Sequence, residues 1–247
     1  MMRRIWSAAA RRRFSSPLLS GALALALLAL LVSVPISGTF TRPLFAADSY
    51  TLEKVTEAPP AELPAALRGA VRADALQVKG PGGSLCEIWL RLSVPVAAAP
   101  STELGITFGQ IAEGTLLGVM RIAAPATDYR NQKIKPGLYT LRYADNPVDG
   151  NHQGVAPQRD FALLSPVTED PDPANISRDE VIKRSAKTTG TKHPSVWSLW
   201  PGDDSAAAPA LHYQEDSEIW LLNFRLPLTG GAQLSMGMVV VGHAPEA

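Results

Sequence analysis

The chain has 247 residues, with 23 Lys+Arg against 23 Asp+Glu, one cysteine and 21 prolines. Residues 1–46 hold six Arg and no acid, so the remainder carries 17 bases against 23 acids, a net charge of −6. An acidic remainder with no Lys/Arg run excludes a nucleic-acid surface, which needs concentrated positive charge, and a lone Cys86 excludes an intramolecular disulfide.

The first segment, "MMRRIWSAAARRRFSS", is basic and leads into the apolar run "PLLSGALALALLALLVSVPI". Cations that stay on the cytoplasmic side while an apolar run enters the bilayer form an export signal. Residues 1–46 are therefore expected to be a signal peptide, cut after Ala46 or Ala47. The run matches the ~20 residues that span a bilayer, so retention of residues 18–36 as an anchor is the alternative. Arg11, Arg12 and Phe14 resemble a twin-arginine signal, but Ala10, Ser15 and Ser16 depart from it, and an ordinary secretory signal is the favoured reading. The protein is expected to be exported, periplasmic or extracellular.

From residue 47 a single domain is expected, because some 200 residues suffice for one core. Short alternating apolar stretches bounded by Gly, Pro, Asn and Asp predict strands. They are "YTLEKVTE", "ALQVKG", "SLCEIWLRLSV", "ELGITFG", "LLGVMRIAA", "GLYTLRYA", "DFALLSP", "SVWSLW", "SEIWLLNFRLP" and "QLSMGMVVVG". Ten such segments without alternating long helices predict an all-β fold, an antiparallel β-sandwich of jelly-roll or prealbumin-like kind, or a partly open barrel. In "GLYTLRYA", Tyr139, Leu141 and Tyr143 share one face and are expected in the core, with Leu138, Thr140 and Arg142 opposite. Cys86, inside an apolar strand, reads as a small buried hydrophobe.

Two stretches read as helical. A short turn is expected after Pro64. A helix near 177–189 has Ser177 and Glu180 as a capping box and Gly190 as its stop, and is expected across one edge of the sandwich. The sequon Asn175-Ile176-Ser177 is explained equally well by capping. "EIWL" recurs at Glu87–Leu90 and Glu218–Leu221, a match short enough for chance.

The densest polar stretch joins "GLYTLRYA" to "DFALLSP" by a connection of about fifteen residues, and loops that long are disproportionately functional. Asp145, Asp149, His152, Arg159 and Asp160 are its candidate site residues. A calcium loop fails on spacing, since the third and twelfth ligand positions are Pro147 and Ala156. His152 is a weak metal candidate, because His152, His193, His212 and His243 include no pair at metal-ligand spacing. A loop-organising role outweighs catalysis, since no acid–base or nucleophile set is recognisable. Trp200, next to Pro201-Gly202, is the candidate for stacking on a sugar ring, while the other tryptophans read as core. No phosphate loop, G-x-S-x-G or C-x-x-C is present, so those enzyme classes lack support.

The segment "KPGLYTLRYADNPVDGNHQGVAPQRDFALLSP" (135–166) resembles part of an uncharacterised family of exported bacterial β-rich proteins, through Gly137, Tyr139, Asp149, Gly150, His152, Gly154, Arg159, Asp160 and Phe161. The resemblance implies export and a β-rich domain and transfers no activity. "IKPGLYTLRY" is also similar to the Pro-Gly turn and Tyr-containing strand of prealbumin-like modules, which are usually binding or accessory units. Together these lead to a non-catalytic binding or accessory module of the cell envelope, with no cofactor. Its expected partner is a protein, a small molecule or a carbohydrate, with no nucleic acid, and with the membrane only through residues 18–36 if retained. The competing expectation is a metal-dependent enzyme or metal-binding protein using the 145–160 loop, with His152 as ligand or base.

Overall fold

In the computed structural model of the chain, residues 50–146, 156–205 and 207–244 are described. Residues 1–46, Asp149 and His152 lie outside them. The strands are β1 (Thr51–Val55), β2 (Ala75–Gly80), β3 (Gly83–Leu90), β4 (Leu116–Ile122), β5 (Ala126–Thr127), β6 (Lys133–Ile134), β7 (Gly137–Asp145), β8 (Asp160–Pro166), β9 (Ser195–Pro201), β10 (Ala210–Gln214), β11 (Ile219–Pro227) and β12 (Gln233–Val241). Two helices, α1 (Ala65–Ala70) and α2 (Arg178–Thr189), accompany them. Among the described residues no helix is long and apolar enough to cross a membrane.

Ten strands form one antiparallel sheet in the order β1-β2-β3-β4-β7-β8-β9-β12-β11-β10, with β5 and β6 as a separate hairpin. The fold is all-β, as the alternation predicted. The sheet rolls into a nearly closed barrel, helped by bulges at Val78/Lys79, Leu116/Gly118 and Trp220/Leu221. Its free edges, β1 and β10, approach each other. Tyr50 and Tyr213 close this seam, with ring centroids 5.2 and 5.3 Å from Trp220.

Residues of period two fill the interior: Ile88, Met120, Leu141, Leu164, Trp197, Leu222 and Met238 all join one cluster. Tyr139, Leu141 and Tyr143 are among the inward set, as expected of β7. Cys86 is fully buried there, and burial followed by the neighbouring Glu87 charge pushes its thiol up to about 12. That value leaves no thiolate at neutral pH.

Two outer faces are also covered. α1 and the chain before it lie over Trp89, Leu116 and Val119, where the Trp89 indole N–H donates to the Glu57 carbonyl at 3.0 Å. α2 packs on β8 and β9, inserting Val181 among Phe161, Leu163 and Val196. It lies on the sheet's outer face and not across an edge. Its ends follow the sequence: Ser177 Oγ accepts from the Glu180 amide, and Gly190, at φ 67°, stops it.

The structure corrects two other expectations. "ELGITFG" is a loop, because its amides are taken by Asp160 instead of a neighbouring strand. β10 is an additional edge strand, paired with β11. The repeated "EIWL" places its tryptophans differently, in line with a chance match: Trp89 faces outward beneath α1, whereas Trp220 faces the interior.

Candidate functional site

The long connection leaves the barrel at the end where β7 stops and β8 starts. Asp145 pairs with Asp160 as the last rung of that ladder, and the Asn146 amide donates to the Arg159 carbonyl at 2.8 Å. Three of the five sequence candidates in this stretch are therefore at the base of the loop.

Asp160 is fully buried and faces inward. It accepts from the Tyr143 hydroxyl at 2.7 Å, the Thr107 amide at 2.8 Å and the Phe108 amide at 3.1 Å. These bonds draw the 101–113 segment across the barrel end, where Phe108 and Ile111 complete the core. Burial and the adjacent Asp160 charge push the Tyr143 hydroxyl far above its ordinary value, so it stays a donor. Arg159 fastens the same segment from outside. It donates to the Leu104 carbonyl at 2.6 Å, to Glu103 at 3.0 Å and to the Asn146 carbonyl. Asp160 and Arg159 thus organise the loop.

Beside them opens a cleft of about 880 Å³. Ala97, Ala99, Gly109, Ile111 and Ala112 give it a low apolar wall, and Glu113, Asp145 and Arg178 form its charged corner. Arg178, the first residue of α2, pairs with Glu113 and lies 3.6 Å from Asp145. The Asp145 amide also donates to Glu113 at 3.3 Å. Gly114 permits this corner. Its φ is +81°, and a Cβ there would stand 1.8 Å from the Ile176 carbonyl oxygen, so only glycine lets the turn before β4 pass under the start of α2.

Protein-family models, curated proteins and solved structures yield no match to this chain.

The chemistry of the cleft is thus read from its residues. Glu113 and Arg178 were not among the sequence candidates, since nothing local marks two side chains 65 positions apart as partners. Trp200 lies in β9, half-buried against the outer cluster, and does not line the cleft. Among the described residues no group of three or more His, Cys, Asp and Glu is arranged to hold a metal ion.

Asp145 carries the electrostatic signature of the corner. Burial, and then the Glu113 carboxylate, push its carboxyl up to about 6, against the pull of Arg178 and Arg159. A raised acid favours the protonated folded state, so its ionisation lowers stability as pH climbs from about 4 through 6. Asp145→Asn is therefore expected to stabilise the protein by about 2 kcal/mol at pH 7.5, with the difference vanishing below about pH 4. Urea unfolding of both forms from pH 4 to 8 measures this; a pH-independent difference would contradict the loaded carboxyl.

Proposed function

We propose that this chain is an exported, non-catalytic binding module of the cell envelope that takes a neutral, sugar-like ligand in the cleft between residues 97–113 and the end of β7. The observation that carries the reading is the cleft itself. A space of about 880 Å³ on a rigid barrel falls within the ~300–1,000 Å³ of small-molecule sites, with apolar walls and a few convergent polar groups. Two carboxylates and a guanidinium at one corner offer acceptors and donors to paired hydroxyls. The small apolar residues opposite suit the C–H face of a sugar ring.

The buried fastening by Asp160 and the outer one by Arg159 hold the wall in place before a ligand arrives, which lowers the ordering cost of binding. The basic head and apolar run of residues 1–36 support export, and the resemblance of residues 135–166 to exported β-rich proteins agrees with it.

Thermal melts against a panel of neutral mono- and disaccharides test the proposal. A sugar at 100 times its Kd stabilises a folded protein by about 2.7 kcal/mol. Glu113→Gln, which keeps the shape but removes the charge, is expected to weaken the binding sugar roughly tenfold, about 1.4 kcal/mol. A panel in which no sugar shifts the melt, or a shift untouched by Glu113→Gln, would overturn it.

A further inference from the structure

The opposite end of the barrel, where β7 begins, holds a second and chemically different site. A mouth of about 820 Å³ opens there, walled by Leu85, Ile134, Tyr139 and Val240. Lys133, Lys135 and Lys187 stand around it, and among the described residues no acid is in its lining. In a domain whose net charge after residue 46 is −6, three lysines with no carboxylate among the described lining residues are a local reversal of sign. The C-terminus of α2 brings partial negative charge to this rim, and Lys187, in its last turn, offsets it. Among the described residues, Lys133 and Lys135 are left as the net charge of the mouth.

We propose that this mouth binds a single-chain amphiphile with an anionic head, its tail against the apolar walls and its head at Lys133 and Lys135. Three observations converge on that class. The walls are mostly apolar, so a small hydrophilic anion would leave them wet. The lysines sit on exposed positions at the rim, where an ammonium keeps its hydration until a head group arrives. The barrel interior is already filled by Trp197, Trp220 and Phe224, so a tail lies in the mouth and not along the axis. Barrel mouths are a recurrent place for such ligands. A carboxylate and a phosphate monoester satisfy the head-group chemistry equally. The competing occupant is the chain's own apolar run, residues 18–36.

The test is calorimetric titration of the full chain, purified as it accumulates in the cell, at low ionic strength and below the micelle concentration of each probe. The probes are laurate, dodecyl phosphate, decanoate, the uncharged ester monolaurin and inorganic phosphate. Laurate and dodecyl phosphate are expected to saturate. Decanoate should be at least tenfold weaker, from roughly fourfold per methylene. Lys133→Gln/Lys135→Gln should weaken both anionic probes at least tenfold, leave monolaurin nearly unchanged and leave the melting temperature unmoved, since both lysines are exposed. The proposal is overturned if laurate does not saturate, or saturates only after residues 1–46 are removed, which would make the chain's own run the occupant. It is also overturned if inorganic phosphate competes as well as laurate with no chain-length dependence, or if the double variant binds laurate like the parent.

Discussion

Asp170→Ala is expected to cost about 3–5 kcal/mol of folding stability, because it strips a fully buried guanidinium of its counter-charge. Arg142 and Asp170 are both inaccessible, with Arg142 Nε 2.6 Å from Asp170 Oδ2. All five N–H donors of Arg142 are used: two bonds reach Asp170, and the others reach the carbonyls of Gly114, Asp172 and Ala174. Asp170 accepts in addition from Thr140 and Arg184. A loss of that size is a large part of the ~5–15 kcal/mol that holds a typical domain. Burial alone would raise the Asp170 carboxyl, but the bonds from Arg142 and Thr140 and the charges of Arg142 and Arg184 outweigh it and hold it below the usual carboxylate range. A depressed acid contributes stability that is present above the unfolded value and disappears as pH falls through the folded one. Urea unfolding at pH 7 measures the loss, and the difference between parent and variant should shrink below about pH 4. A loss under about 1 kcal/mol would contradict the network.

Asp160→Ala is the second large effect, expected at about 3–4 kcal/mol, because three donors then lose their acceptor in a dry site at ~1–3 kcal/mol each. Its consequence differs from that of Asp170→Ala. The bonds to Thr107 and Phe108 hold the wall of the cleft, so amide hydrogen exchange at those two residues should accelerate before the barrel strands open. Unchanged protection at Thr107 and Phe108 would show that Asp160 does not fasten this wall. The variant also separates the two ends of the barrel: the lysine-rimmed mouth, lined by none of these residues, should be unaffected.

These two carboxylates mark where the sequence was readable and where it was not. The inward alternation of Tyr139, Leu141 and Tyr143 was legible because side chains on a strand alternate by geometry. The same alternation put Thr140 and Arg142 opposite, correctly, but nothing local says that the opposite face is covered. The cover is the 166–175 segment, 28 positions away from Arg142 at Asp170. The helix was legible in full because its caps are local: Ser177, Glu180 and Gly190 act within their own turns. "ELGITFG" was misread for the complementary reason. It alternates like a strand, yet a distant Asp160 takes the amides of Thr107 and Phe108, and Gly105 turns the chain at φ +82°.

The site divides in the same way. Asp145, Arg159 and Asp160 were found because they flank one long connection. Glu113 and Arg178 reach Asp145 only through the glycine crossing at Gly114 and the start of α2, two features that are separate in sequence. Exposed Leu104, held against Arg159 at the rim, belongs to the same tertiary assembly.

Amide chemical-shift mapping of the labelled protein with a sugar that stabilises it tests most directly whether the cleft at the Asp145 end is the proposed ligand site. Saturable shifts confined to residues 97–113, Asp145 and Arg178 are expected, with the β9 strand around Trp200 unmoved. Shifts centred on Trp200, or none at the Glu113–Asp145–Arg178 corner, would contradict it.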